Sequence, residues 1–298
     1  MGILKKHLQL YCKNKFNEKL MFEGKTLVIG QQAIYMQEKD AKKILKNNNI
    51  VFQDNFSLRN GKFTNISEFK NNNLNSRINS EYLFKLLGSK QVDHLDIQKE
   101  DDIEIQCNLN EDIDKNLKNK YDNIIDMGSM EHISNLSKLL ENYIKILKIN
   151  GYLIIETQSS NMIDHGYYSI SPMFFFDFFE LNGFKVENLY LREFNPYYHD
   201  YPDENSKLYH YQSKGLENCI VSGNSIETIV FLKKLKDIQK VKFPTQQRYV
   251  SVDKKNIYIK ENLFRKFKNL VIKVAKYFPL FIQKIIYRKI KMRNLKKL

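Results

Sequence analysis

Cysteine is scarce in this chain: Cys12, Cys107 and Cys219 are the only three among 298 residues. An odd number of widely separated thiols supports neither a disulfide framework nor a metal site, and all three are read as reduced. Long apolar runs are also missing. The longest, such as Tyr277 to Ile282, fall far short of the roughly 20 residues that a membrane-spanning helix needs, so no span is expected. The opening MGILKKHLQLYCK has too short an apolar run for a secretory signal, and Lys6 stands where a myristoylation motif needs Ser or Thr. A cytoplasmic location is the expectation. Core material is plentiful, with 42% apolar and 13% aromatic residues, which excludes wholesale disorder. The length suits two average domains or one α/β domain with appendages.

The net charge of +14 is unevenly placed. Residues 233 to 298 hold 21 Lys or Arg against Asp237, Asp253 and Glu261, a surplus of +18 that leaves −4 for the remainder. A mildly acidic body and a basic tail imply separate jobs, and the boundary is drawn between residues 1–237 and 238–298. In the tail, Leu263, Phe267, Leu270, Val271, Val274 and Phe278 recur at helical spacing, and Ile282, Ile285, Ile286 and Ile290 begin a second stripe after Pro279. Two amphipathic helices with cationic flanks suit an anionic membrane surface, contacted through residues 262–298. Packing on the domain or on a partner chain is the alternative. Nucleic-acid binding ranks below both, because no reading motif accompanies the charge.

In the body, short apolar runs at 25–30, 91–96, 103–107, 123–127 and 152–157 read as buried strands. Between them fall helical spacings: Leu4, Leu8 and Tyr11; Ala41, Ile44 and Leu45; Tyr82, Leu83, Leu86 and Leu87; and a run from Leu136 to Leu147. Gly88 and Asn150-Gly151 are expected as helix caps. A helix from Pro172 to Leu181, whose phenylalanines belong to the core, precedes two final strands at 185–191 and 226–232. Alternating β and α units with apolar strands predict an α/β fold, doubly wound on a mostly parallel sheet of seven strands. The stretch 47–80, with its Asn-rich FKNNNLNSRINS, has no periodicity and is predicted to be an exposed insertion.

Ligands of open parallel sheets bind at the carboxyl ends of the strands. Those ends carry Gly30-Gln31-Gln32, Asp96-Ile97, Asn108-Leu109-Asn110-Glu111, Met127-Gly128-Ser129-Met130-Glu131-His132, and Thr157-Gln158. This set resembles the class I S-adenosylmethionine-dependent methyltransferases, most clearly from Ser80 to Leu191. LVIGQQ, NLNED, DMGSMEHISN and DHGYYSISPMFFFDFFELNGF look more particularly like a subfamily associated with surface-polysaccharide biosynthesis. The resemblance implies a Rossmann-like methyltransferase sheet, S-adenosyl-L-methionine as cofactor, and a small, sugar-derived acceptor. It further implies that Gly30 and Gln31 approach the methionine part, Asp96 and Ile97 meet the ribose, Asn108 and Leu109 flank the adenine, and Met127 and Gly128 complete the pocket.

Two histidines are candidates for acid–base work. A hydroxyl acceptor must lose a proton as it is methylated, and imidazole titrates near neutrality. His165, in a polar loop after the fifth strand, is the preferred base, with Asp164 or Glu131 available to hold its ring. His132, in EHIS, is the second candidate, the other reading being that it orients the following helix. The glycine-rich loop usual in this fold is reduced to Gly30, which keeps a non-catalytic binding or scaffold module as the alternative function. An RNA methyltransferase is the third reading.

Overall fold

Leu27, Val28 and Ile29 are consecutive, apolar and buried, yet Leu27 and Ile29 join one hydrophobic cluster and Val28 another. A strand with core on both faces must be covered by helices on both sides. The computed structural model describes residues 2–14, 22–59, 61–63, 77–100, 102–195, 205–212 and 222–246, and in the tail positions 271, 274, 277–280, 282 and 296–297.

The elements in chain order are β1 (Gly2–Ile3), α1 (Lys5–Lys13), β2 (Gly24–Ile29), β3 (Ala33–Ile34), α2 (Glu38–Asn47), α3 (Ser80–Leu86), β4 (Ser89–Asp96), β5 (Ile105–Gln106), β6 (Tyr121–Met127), α4 (Leu136–Ile146), β7 (Leu147–Ser160), α5 (Pro172–Leu181), β8 (Phe184–Phe194), β9 (Lys207–Tyr211), β10 (Ser225–Lys234) and β11 (Lys296–Lys297). All five expected helices and all seven expected strands of the body appear. The main sheet runs β11-β9-β8-β10-β7-β6-β2-β4-β5. From β7 to β5 it is parallel. The chain winds outward from β2 to β5, then returns to β6 and continues the other way, so the winding reverses between β2 and β6. Residues from α1, α2 and α3 pack in the cluster on one face, and residues from α4 and α5 in the cluster on the other.

The central strands are parallel as expected, but the sheet as a whole is mixed and exceeds the expected seven strands. It has nine among the described residues, and β10 runs antiparallel to both β7 and β8, as β9 does to β8 and β11 to β9. Among the described residues no helix separates β8, β9 and β10, and strands joined without a crossover run antiparallel. Gly88, at φ +111, follows α3 as a left-handed cap. Asn150 does not cap a helix. α4 ends at Ile146, and Asn150, at φ +65, lies inside β7.

Part of the predicted insertion is packed rather than exposed. Phe52, Phe56 and Leu58 lie against the α1–α3 core, and the Gln53 N–H donates to the Leu86 carbonyl. Arg59 reaches the Val92 carbonyl and pairs with Asp93 and Glu104. Residues 238–243 continue against α5: Asn182 and Lys242 exchange two hydrogen bonds of 2.8 Å, and Phe243 meets Phe178. The amphipathic stripes expected over 262–298, and Cys219, lie outside the described residues apart from scattered tail positions. Cys12 and Cys107 are free thiols. No helix among the described residues is long and apolar enough to cross a membrane.

Candidate functional site

A cavity of about 270 Å³ opens at the carboxyl ends of the strands where the winding reverses. Its wall takes Ile29 and Gly30 from the end of β2, Leu95, Asp96 and Ile97 from β4, residues 107–110 after β5, and Gly128, Ser129, His132 and Ile133 after β6. Gly30 has φ +72, a left-handed conformation open to glycine. A side chain there would begin 3.2 Å from Ser129 Oγ and 3.7 Å from Asp96 Oδ2. The bare backbone therefore leaves room beside the aspartate. Asp96 Oδ1 accepts the Gln98 N–H at 3.0 Å, and Oδ2 faces the space at Gly30. Gly128, at φ +95, closes the opposite wall, its N–H bonded to the Glu156 carbonyl.

Of the eight cofactor candidates, Gly30, Asp96, Ile97, Asn108, Leu109 and Gly128 line this cavity, whereas Gln31 and Met127 do not. Met127 is fully buried in the α1-side core, where its sulfur accepts from the Tyr11 hydroxyl at 3.6 Å. Gln31 is turned toward Asp102 at 3.5 Å. Asn108 is present with its side chain committed to its own loop. Its Oδ1 accepts from the Asn110 backbone and side chain, and its Nδ2 donates to Glu111. Both lone pairs of that oxygen are used, so toward a ligand the Asn108 side chain offers only the second N–H of Nδ2.

Behind the cavity, β6 and the turn after it carry acids in unusual surroundings. Asp126 is fully buried and accepts from Tyr143 Oη and the Ser129 N–H, both at 2.7 Å; burial raises its pKa to about 6. Glu131, in the short 3-10 turn Met130–His132, is buried too. Its Oε2 accepts from Thr157 Oγ1 at 2.8 Å. Burial first, and the Asp126 charge second, raise its pKa to about 7.

The loop after β7 closes directly on this turn. The Tyr167 N–H donates to the Glu131 carbonyl at 2.8 Å, and Tyr168 Oη to the Ser134 carbonyl at 2.5 Å. At Gly166 a Cβ would come within 2.9 Å of Glu131, so the close approach requires glycine. This docking sets His165 Nε2 at 3.8 Å from Glu131 Oε1 and its ring at 5.2 Å, centroid to centroid, from that of His132. Burial lowers the pKa of both histidines; for His165 the neighbouring His132 adds to the effect. The two predicted catalytic histidines thus meet, and His132 also lines the cavity. Of the two acids considered for holding the His165 ring, Glu131 is beside it.

No family model matches the chain, and no curated protein matches it. Solved structures give faint likenesses. The YcgJ protein from Bacillus subtilis is 10% identical, with 77% of this chain and 98% of that one covered and a TM-score of 0.40. A Burkholderia thailandensis 1,6-didemethyltoxoflavin-N1-methyltransferase, with bound S-adenosylhomocysteine, is 9% identical over 77% of this chain and 78% of its own, at 0.38. An S-adenosylmethionine-dependent methyltransferase from Archaeoglobus fulgidus is 14% identical over 77% and 92%, at 0.35.

Proposed function

We propose that this chain is an S-adenosylmethionine-dependent methyltransferase acting on a small acceptor, with its cofactor in the cavity at the ends of β2, β4 and β6. The observation that carries the reading is Gly30 beside Asp96: a left-handed glycine leaves space next to a carboxylate oxygen at the reversal of the winding, where ligands of open α/β sheets bind. Asp96 would accept from a pair of ribose hydroxyls. Leu109 and Ile97 offer apolar surface to a base, and the backbone at Gly30 and Gly128 borders the remainder. When bound, the cofactor supplies a methyl group on a sulfonium, which passes to an acceptor atom as the carbon–sulfur bond breaks and a neutral thioether leaves.

His132 and His165, which meet where the loop 162–168 closes on the turn 129–133, are assigned here to the acceptor. They are placed to hold the acceptor against the cavity and to draw off its proton, a contribution of about 10²- to 10⁴-fold in rate. A sugar-derived acceptor is the finer proposal, supported by the likeness of DHGYYSISP to sequences of surface-polysaccharide methyltransferases. Attachment of the basic tail to an anionic membrane surface is supported by its charge and apolar stripes.

Titration calorimetry with S-adenosylmethionine and S-adenosylhomocysteine tests the reading. Both ligands are expected to bind, and Asp96→Ala to weaken them tenfold to a hundredfold, the loss of a charge-assisted hydrogen bond of roughly 1.5–3 kcal/mol. Absence of binding at millimolar ligand would leave the non-catalytic module as the reading of this fold.

A further inference from the structure

Glu131, His132 and His165 each bring one ligand-type atom to a common point, all within 4.8 Å of one another. Two of these groups are unsatisfied in an environment that penalises it. Glu131 Oε1 and His165 Nε2 are both shielded from solvent, neither has a hydrogen-bond partner, and they face each other across 3.8 Å. The Glu131 side chain has no solvent exposure. An orphaned buried carboxylate oxygen costs about 1–3 kcal/mol or more, so its persistence here asks what satisfies it.

We infer that Glu131, His132 and His165 form a binding site for one divalent first-row transition ion, of the Zn²⁺ or Fe²⁺ class. Two imidazoles and one carboxylate are borderline ligands that favour such ions over Ca²⁺ or Mg²⁺, which take mainly oxygen donors. Metal–ligand bonds of about 2.0–2.2 Å need ligand atoms roughly 3–3.5 Å apart. The Glu131–His165 pair is within a few tenths of an ångström of that, and His132 closes the remainder by a side-chain rotation, since it is solvent-exposed. The surroundings are those of a ligand site. Thr157 Oγ1 fixes the second oxygen of Glu131, as outer partners of metal ligands do, and Gly166 allows the loop carrying His165 to close. Three protein ligands leave coordination positions open, the mark of a catalytic rather than a structural ion, and His132 puts them at the edge of the cavity.

The site deepens the methyl-transfer reading and, for its purpose, rests on it. An acceptor hydroxyl on one of the open positions would release its proton to water near neutral pH, as metal-bound water does. The two imidazoles would then act through the ion rather than as free bases. The scarcity of cysteine gave no hint of metal in the sequence, and this cluster uses none.

Tag-free, chelator-treated full-length protein titrated with Co²⁺ tests the site. One equivalent per chain should bind with visible d–d absorption bands, and Zn²⁺ should displace it. Glu131→Gln and His165→Ala should each weaken Co²⁺ binding by at least about tenfold, as should His132→Ala, which alters an exposed side chain and leaves folding intact. Calorimetry with S-adenosylhomocysteine runs beside it. Co²⁺ binding without cofactor binding keeps the metal site and ends the methyltransferase reading; cofactor binding without saturable Co²⁺ uptake overturns the metal site alone. Co²⁺ bands unchanged by His132→Ala would likewise overturn it.

Discussion

On the face of the sheet that α1 covers, β7, β8 and β10 bury a charge cluster with almost no solvent contact. Arg192 and Glu156 are 0% exposed and Glu227 is 1% exposed. Arg192 donates from Nε to Glu227 at 2.8 Å, from Nη2 to the same oxygen, and lies 3.3 Å from Glu156. His7 Nδ1 accepts the Leu4 N–H, so Nε2 carries the ring proton and donates to Glu156 at 3.0 Å. One cation therefore faces two carboxyl groups, and two buried ions of like sign cannot both be afforded beside it. The two carboxyls interact with each other, and Glu156 Oε2 and Glu227 Oε1 have no other donor. A proton on Glu227, held between them, satisfies both. Burial accordingly raises the Glu227 pKa to about 8, while the His7 and Arg192 contacts hold Glu156 low. Between its unfolded value of 4.5 and about 8, the folded chain holds a proton at Glu227 that the unfolded chain has lost. Stability must fall as pH rises through that window, by up to about 1.4 kcal/mol per pH unit for the one proton. Glu227→Gln mimics the protonated acid: its amide donates to Glu156 and its carbonyl accepts from Arg192. It should change stability at pH 5 by less than about 1 kcal/mol and flatten the slope. Asp126 and Glu131, raised to about 6 and about 7, add slopes of the same sign in both proteins and cancel in the comparison. Arg192→Leu leaves Glu156 ionised without its cation and should cost about 3–5 kcal/mol. Urea unfolding of all three proteins from pH 5 to 8 gives the numbers. An undiminished slope in Glu227→Gln, or a loss as large as that of Arg192→Leu, would refute the shared proton.

Lys234, also fully buried, donates to the Ile144 and Leu147 carbonyls at 2.7 and 2.6 Å, pinning the end of α4 to β10. Lys234→Met strands both carbonyls and should cost about 3 kcal/mol in urea unfolding. Gly30→Val should cost about 1–2 kcal/mol through its left-handed φ and, by filling the space beside Asp96, abolish cofactor binding in calorimetry; wild-type affinity would displace the cofactor from this cavity. For the basic tail, full-length protein should float with anionic but not neutral vesicles, and a chain ended at Gln246, which keeps the Asn182–Lys242 contact, should stay in solution. At 1 M salt, where screening acts within about 3 Å, flotation should weaken but persist if Phe and Ile side chains are buried in the lipid; an insoluble truncated chain would mean that the tail covers the domain.

The body of the fold was legible because its strands are continuous apolar runs, the pattern of a sheet buried on both faces. KTLVIG and YLIIET need no context to be read. β9, KLYHY, carries only half-apolar alternation and lies toward the sheet's edge, and the two-residue β1 and β3 have no periodicity at all. The site divides along a similar line. Gly30, Asp96 and Gly128 could be expected at one cavity because strand ends are where the chain must turn. Asn108 lines the cavity as expected, with its side chain engaged in its own loop, since a short amide after a strand bonds its own loop as readily as a ligand. Glu131 was named only as one of two acids able to hold the His165 ring, because its burial depends on Thr157 from the next strand and Gly166 from a distant loop. Met127 was avoidable. In YDNIIDM, Ile124 packs on the α4–α5 side and Ile125 on the other, and the period of two carries that alternation onward. Asp126 then falls on the α4 side, where Tyr143 meets it, and Met127 on the α1 side with Ile125. Ile29 and Leu95, which line the cavity, share the α4 side. Parity along β6 therefore directs Met127 away from that wall and leaves Gly128, the first residue past the strand, to reach it.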